Sequence, residues 1–266
     1  MPSLSLACFK HGFGLLLAGI KAQRDLTGVK GMYTFDSRVR YSEVGVDGNL
    51  TLIALLEYFQ DCSTFHSEDI GLGMDYLREL NQVWMLSAWQ ICVNRYPRLC
   101  EHIVIGTAPY EFKGFVGYRN FVMKTQEGEV LSYANTIWSL MDLGKMAPAR
   151  PSEKMRAGYV LEDKYPMEYA PRKIHVPAEG RPMEPFAVKE YHLDTNNHVN
   201  NGQYVRMAME YVPKDLFVEQ LRVEYKSQAV LGDKICPVMS VDESNKLYTV
   251  SLNKEDGKPY CIVELR

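Results

Sequence analysis

The chain has 266 residues, of which 46% are hydrophobic and 24% are charged, and its formal net charge at pH 7 is −3. This composition is ordinary for a soluble globular protein with room for two domains. The small negative charge gives no general attraction to nucleic acid or to anionic lipid, and no apolar run approaches the ~20 residues of a membrane span. Neither a nucleic acid nor a membrane is therefore expected as a partner.

The first 31 residues differ from the rest of the chain. The apolar run "FGLLLAGI" follows Lys10 and is similar to the core of a signal peptide, but "KAQRDLTGVKG" stands where a small-x-small cleavage site would be. We expect residues 1–31 to be an N-terminal extension outside the fold, added or read from an upstream start ahead of Met32. A targeting segment is the alternative. The six cysteines form no CxxC pair, which favours free thiols and a cytoplasmic location.

A proline-rich stretch divides the chain. Seven of the 13 prolines lie between Pro148 and Pro185, and a segment so interrupted can form neither a long helix nor a central strand. We predict an extended linker over residues 148–183. It would join a first half over 32–147 to a second half over 184–266.

The two halves have the same order of predicted elements. Each begins with a short strand-like run, "RVRY" or "FAVKEY", followed by a polar loop and a helix. About four runs rich in β-branched and aromatic residues come after each helix. The first helix is apolar nearly all round, so it should be buried. A sheet that wraps one buried helix is the hotdog fold. We predict an α+β tandem hotdog, with two antiparallel sheets that each wrap a central helix and that would extend one another side by side.

The repeat predicts which residues are equivalent in the two halves. Val199 falls on Leu50 at an offset of 149 residues, and Asp233 falls on Glu101 at an offset of 132 residues. The first half therefore holds 17 more residues than the second half between the start of the helix and the second strand after that helix.

An acid, an amide and an imidazole stand at alternate positions before the second helix: Asp194, Asn196 and His198. In an extended segment these side chains would point to one side. The helix should begin at Asn200 or Asn201, where free backbone N–H groups could hold a developing oxyanion. Histidine can transfer protons near neutral pH, and an amide can position water or substrate. Together these groups suit hydrolysis of an acyl compound.

The alternative is that these residues only shape a turn, since Asp, Asn and His are common before helices. The repeat argues for catalysis, because the equivalent positions in the first half are Gly45, Asp47 and Asn49, without a histidine. One working site in the second half is therefore predicted. Trp84, Trp89 and Phe115 could line an acyl tunnel, although such aromatic residues more often belong to the core.

Three segments resemble the acyl–acyl carrier protein thioesterases of plant plastids and bacteria: "LDTNNHVNNGQYV", "WMLSAWQICVNRYPRLCEHIVIGT" and "VEYKSQAVLGDKI". The resemblance runs in order from Met32 to Arg266. It implies hydrolysis of the thioester between a fatty acyl chain and the phosphopantetheine of acyl carrier protein. The N-terminal hotdog would bind the acyl chain and the C-terminal one would be catalytic. No metal or bound cofactor is implied, and the protein would be a monomer or a homodimer.

By position, Asp194, Asn196 and His198 match the family's acid, amide and histidine. Gln228 and Ala229 stand where the family usually has a glutamate, sometimes followed by a cysteine. A cysteine nucleophile at this place is excluded, and an amide cannot act as a base. We include Gln228 in the site as a group that orients water, with Asp194 or His198 as the base. The alternatives are a hotdog acyl-CoA thioesterase and a catalytically impaired acyl-binding protein.

Overall fold

The computed structural model describes residues 31–266, so the prediction for the N-terminal extension lies outside the described residues. The first half contains five long strands and two helices: β1 (Tyr33–Arg38), α1 (Leu52–Asp69), α2 (Met74–Glu79), β2 (Gln82–Val93), β3 (His102–Lys113), β4 (Val116–Thr125) and β5 (Val130–Asp142).

The linker region and the second half contain shorter elements: β6 (Ala147–Pro148), α3 (Glu153–Gly158), β7 (Arg181–Pro182), β8 (Phe186–Ala187), α4 (Asn201–Met209), β9 (Gln220–Tyr225), β10 (Lys234–Asp242), β11 (Leu247–Asn253) and β12 (Pro259–Leu265). None of the helices in the described part of the chain is both long enough and apolar enough to cross a bilayer.

All the strands belong to one antiparallel sheet of 12 strands. Its main path runs β1-β3-β4-β5-β2-β9-β12-β11-β10-β7, with β6 on β5 and β8 on β10. The halves meet where β2 pairs with β9, with Trp89 opposite Val223. The two predicted sheets are thus continuous across this junction, as a side-by-side tandem hotdog requires.

The central helix α1 is buried in the sheet of the first half. The Thr51 side chain caps its start by accepting a hydrogen bond from the Ala54 amide at 3.2 Å. Leu55, Leu56 and Phe59 are fully buried, as the run of apolar residues predicts. Their burial removes several large side chains from water, each contributing about 1.5–3 kcal/mol.

The predicted equivalence between the halves is seen in matching hydrogen bonds. A β-bridge joins Val44 to Leu50 in the first half, and an equivalent bridge joins Leu193 to Val199 in the second, at the offset of 149 residues. The second offset is also confirmed. The Val39 amide donates to the Glu101 carbonyl at 2.9 Å, and the Val188 amide donates to the Asp233 carbonyl at 2.8 Å.

The linker crosses the face of the sheet that points away from the helices. Trp89 packs against Phe59 of α1, so the next residue, Gln90, points to the opposite face. There the Gln90 amide donates to the Glu168 carbonyl and accepts from the Ala170 amide, both at 2.9 Å. Residues 160–180 contain no helix or strand, as predicted, but the short helix α3 over Glu153–Gly158 lies inside the predicted linker, so an extended course over all of residues 148–183 is wrong. The Ser152 side chain caps this helix by accepting a hydrogen bond from the Met155 amide at 3.1 Å. The domain boundaries at 147 and 184 stay a prediction.

Candidate active site

A cavity of about 720 Å³ extends across both halves of the protein. Its lining includes residues of α1, β2, β4 and β5 from the first half. From the second half it includes Asp194, Asn196, Asn201, Tyr204 and Gln228. Among residues 31–266, no group of three His, Cys, Asp or Glu side chains is arranged to hold a metal ion.

The loop that carries Asp194 is a tight turn, so the predicted extended conformation of residues 194–198 is wrong. The Asp194 amide donates to the His198 carbonyl at 2.8 Å, and Asn197 adopts a φ of 60°. The cause is the Asp194 carboxylate, whose Oδ1 accepts hydrogen bonds from the amides of Asn196 at 2.7 Å and His198 at 3.2 Å. A short acidic side chain that satisfies nearby backbone N–H groups favours a turn over a strand.

The turn brings Asp194 and Asn196 to the cavity, but His198 is not among the lining residues. The imidazole of His198 is partly buried, and its Nδ1 is fully buried without a hydrogen-bond partner in the described part of the chain. A buried polar atom without a partner is uncommon and often marks a site that water or a ligand completes.

The helix α4 begins at Asn201, as predicted, with Asn200 as its N-cap. The Asn200 side chain accepts from the Gly202 amide at 2.8 Å, and the Asn200 carbonyl accepts from the Gln203 amide at 2.9 Å. The Asn201 amide makes no hydrogen bond to residues 31–266. Because Asn201 also lines the cavity, its N–H is the helix-start donor that is available to an oxyanion.

The segment after β9 brings Gln228 to the cavity. The Lys226 amide donates to the Tyr260 carbonyl at 2.8 Å, and the Ala229 amide donates to the Tyr204 hydroxyl at 2.9 Å. Burial raises the pKa of Tyr204, so its phenol stays neutral. Tyr204 thus holds the backbone next to Gln228.

Glu224 does not belong to the cavity. Its carboxylate is fully buried on the linker side of the sheet, where it accepts from the Ile174 amide at 3.1 Å and from Lys226 Nζ at 2.8 Å. The strand β9 ends at Tyr225, so the alternation of a regular strand does not carry Glu224 to the face of Gln228.

The first half contributes the other end of the cavity. Trp84 lines the cavity and stacks on Phe112, whereas Trp89 lies in the core and Phe115 is exposed. Arg119 is a buried cation that lines the cavity from β4, and sequence reasoning missed it. The sequence feature that could have identified it is its spacing. Arg119 lies two positions before Phe121, so it shares the strand face that packs against α1.

Two protein families known from other proteins match most of the chain, one in each half. The acyl-ACP thioesterase N-terminal domain matches residues 30–159, and the acyl-ACP thioesterase C-terminal domain matches residues 177–264. The chloroplastic acyl-[acyl-carrier-protein] hydrolase FATB3 of Cuphea viscosissima is 26% identical over 239 residues, which cover 82% of this chain and 58% of that protein. The oleoyl-acyl carrier protein thioesterase of Coriandrum sativum, also chloroplastic, is 24% identical over 251 residues, which cover 86% of this chain and 68% of that protein.

Solved structures share the tandem hotdog fold. An acyl-ACP thioesterase from Bacteroides thetaiotaomicron has a TM-score of 0.81 and 23% identity, covering 88% of this chain and 96% of that one. The 12:0-ACP thioesterase from Umbellularia californica has a TM-score of 0.77 and 17% identity, and the match covers 90% of this chain and 98% of that one. This chain spans only 58% of the Cuphea hydrolase, yet both domain profiles match it in order. The chain therefore belongs to the acyl-ACP thioesterase family.

Proposed function

We propose that the protein is a thioesterase that hydrolyses fatty acyl-acyl carrier protein to free fatty acid and acyl carrier protein. The observation that carries this proposal is a continuous cavity that connects Asp194, Asn196 and Gln228 with the interior of the first half. A thioester at the second-half end would leave the acyl chain space toward the first half. Membership of the family supports the same reaction.

In the proposed mechanism, a water molecule attacks the thioester carbonyl and the carbon–sulfur bond then breaks. The free amide of Asn201 stabilises the oxyanion that forms on the carbonyl oxygen, where one such donor is worth about 3 kcal/mol. Asp194 is the base. Its Oδ1 is held by the turn, and its Oδ2 makes no hydrogen bond within residues 31–266, so Oδ2 can take the proton of the water.

The remaining polar side chains position the water and the leaving group. The amides of Gln228 and Asn196 line the cavity and can each donate and accept hydrogen bonds, so they orient the water and the substrate. His198 protonates the departing thiolate of phosphopantetheine through an intervening water molecule, because its side chain does not line the cavity. Its buried Nδ1 lacks a partner in the described part of the chain, which leaves that atom able to bind such a water.

The experiment measures hydrolysis of acyl carrier protein thioesters of graded chain length beside matched coenzyme A thioesters. We expect faster hydrolysis of the carrier-protein substrates. Replacing His198→Ala should lower the rate at least ~100-fold, in line with the loss of proton transfer. The matched control is Asn49→Ala, because Asn49 is the first-half equivalent of His198 and should leave the rate near its original value.

Two results would contradict the proposal. Faster hydrolysis of the coenzyme A esters would show that the substrates are acyl-CoA thioesters. Acyl binding without hydrolysis would identify an impaired acyl-binding protein, and Gln228 is the residue that motivates this alternative.

The monomeric or homodimeric state and the cytoplasmic location stay predictions, and the curated relatives compared above are chloroplastic by name.

A further inference from the structure

A buried cation stands in the first-half end of the cavity. Arg119 is only 7% exposed and lines the cavity from β4. Its Nη1 donates to His66 Nδ1 at 3.0 Å and to Thr107 Oγ1 at 3.2 Å. Because a guanidinium cannot accept a hydrogen bond, His66 Nδ1 is the acceptor and the imidazole carries its proton on Nε2. The Tyr159 ring lies 5.5 Å from the guanidinium carbon.

No carboxylate within residues 31–266 neutralises the charge of Arg119, whose contacts are neutral groups. Among residues 31–266, no carboxylate forms an ion pair with it, and its Nε and Nη2 groups make no hydrogen bond. Burial and the neighbouring guanidinium lower the pKa of His66 to about 3, so His66 is neutral at physiological pH. Burial also raises the pKa of the Cys62 thiol. A buried cation without an anionic partner is destabilising, and an anionic ligand would offset that cost.

Other polar groups lie near Arg119 in the cavity wall. One face of α1 presents Gln60, Ser63, Thr64 and Ser67 to the cavity. The Gln60 Oε1 atom is buried without a partner in the described residues, and Tyr159 Oη lies 2.8 Å from Ser67 Oγ. A pocket for an unsubstituted acyl end would need only apolar side chains here.

We propose that Arg119 forms an anion subsite for a carboxylate at the far end of the acyl chain. The substrates would be thioesters of α,ω-dicarboxylic acids, with the free carboxylate accepting hydrogen bonds from Nε and Nη2, the two guanidinium nitrogens that make no hydrogen bond within residues 31–266. Such a pair is bidentate and charge-assisted. This proposal rests on the proposed function, because it takes the thioester end to lie beside Asp194 and Gln228.

The sheet register gives the chain room between the two ends. Arg119 pairs with Thr136, Thr136 with Trp89, and Trp89 with Val223. These three strand steps, at about 4.8 Å each, separate Arg119 from β9 by about 14 Å. A substrate with polar groups at both ends of an apolar middle matches this arrangement.

The first test measures binding without hydrolysis. The probes are monomethyl decanedioate, which has one carboxylate, and dimethyl decanedioate, which has none, and calorimetry gives their dissociation constants. We expect the native protein to bind the monoester more tightly. Replacing Arg119→Met should weaken monoester binding by roughly tenfold to a hundredfold, the range for a lost charge-assisted hydrogen bond, and should leave the diester nearly unchanged.

The matched control is Arg172→Met, because Arg172 is an arginine that also lines the cavity but is exposed. A loss of monoester binding in Arg172→Met instead of Arg119→Met would overturn the proposal. Equal affinity of the native protein for the two probes would also overturn it, and this comparison stands even if Arg119→Met does not fold.

The second test measures hydrolysis of carrier-protein esters that end in a carboxylate or in a methyl group. We expect the native protein to prefer the carboxylate-ended ester and Arg119→Met to lose that preference. A preference for the methyl-ended ester would overturn the subsite while the proposed thioesterase stands. Binding that depends on Arg119 with no hydrolysis of either ester would keep the subsite and overturn the proposed function.

Discussion

The hydroxyl of Tyr204 in α4 accepts a 2.9 Å hydrogen bond from the backbone N–H of Ala229, the residue that follows Gln228. This bond connects the second central helix to the segment that carries a candidate site residue, and both residues are buried. The helix therefore fixes the position of Gln228 through the backbone next to it.

Replacing Tyr204→Phe should lower the free energy of unfolding by about 1–3 kcal/mol, because the buried Ala229 N–H would lose its acceptor. Urea unfolding measures this change, and a fall in kcat should accompany it as Gln228 becomes less fixed. The control is Tyr191→Phe. Tyr191 is 71% exposed, and its hydroxyl makes no hydrogen bond to the described residues. Equal stability of the Tyr204 variant and the native protein would contradict this account.

We predict that Glu224 holds the linker against the sheet. Replacing Glu224→Ala leaves the Ile174 amide without its acceptor and Lys226 without its ion-pair partner. We expect a loss of about 1–3 kcal/mol, less than for a fully buried pair because the Lys226 side chain is 37% exposed. Urea unfolding measures the loss, and hydrogen exchange at Ile174 should become faster.

A surface ion pair provides the control for the linker prediction. Glu255→Ala removes the partner of Lys234, where both side chains are exposed, and should cost much less stability than Glu224→Ala. If the two glutamate variants lost the same stability, the linker would not depend on the buried carboxylate.

Much of the fold could be predicted because its signals are local and repeated. The helix start at Asn201 follows from a capping residue, and the equivalence of Leu50 with Val199 follows from two similar stretches of sequence. The conformation of the Asp194 loop could not be predicted from alternation. The side-chain acceptor of Asp194 favours a turn over a strand, and alternate spacing does not distinguish the two.

The roles of Arg119 and Glu224 depend on contacts between distant parts of the chain. Arg119 meets His66 from α1, and Glu224 meets Ile174 from the linker. A strand pattern shows that a charged residue shares a face with its apolar neighbours two positions away, but it does not show which element packs on that face. Which face it occupies depends on where each strand ends, and its partners depend on elements that are far away in sequence.

Asp194 is the residue on which the proposed mechanism most depends. Replacing Asp194→Asn keeps an oxygen that can accept from the Asn196 and His198 amides, but the amide cannot take a proton from water. We expect kcat on acyl carrier protein esters to fall at least ~100-fold with little change in the urea midpoint. The control is Asp47→Asn, because Asp47 accepts from the Asn49 amide at 3.1 Å in the equivalent first-half loop.

The variant Gln228→Glu tests the competing assignment of the base. If Asp194 is the base, the variant with a carboxylate at position 228 should hydrolyse the substrate no faster than the native protein does. A higher rate in Gln228→Glu, together with near-normal turnover in Asp194→Asn, would move the base to position 228.

The pH dependence of stability should depend partly on His66. Its pKa is about 3 in the folded protein, because burial and then the Arg119 charge disfavour the imidazolium, whereas an unfolded histidine titrates near 6.5. Between these values the unfolded chain binds a proton that the folded chain does not, so stability falls as the pH falls below about 6.5. This contribution is at most about 2 kcal/mol between pH 6.5 and 5.

The measurement is urea unfolding at pH 7 and pH 5. The variant His66→Gln keeps an acceptor for Arg119 but cannot bind a proton, so it should lose less stability than the native protein over this interval. Arg119→Met should fall between the two, because it removes the neighbouring charge and leaves the burial of His66 in place. Equal losses in the native protein and His66→Gln would show that the acid sensitivity comes from other groups, since the pH change acts on both proteins alike and only the imidazole differs.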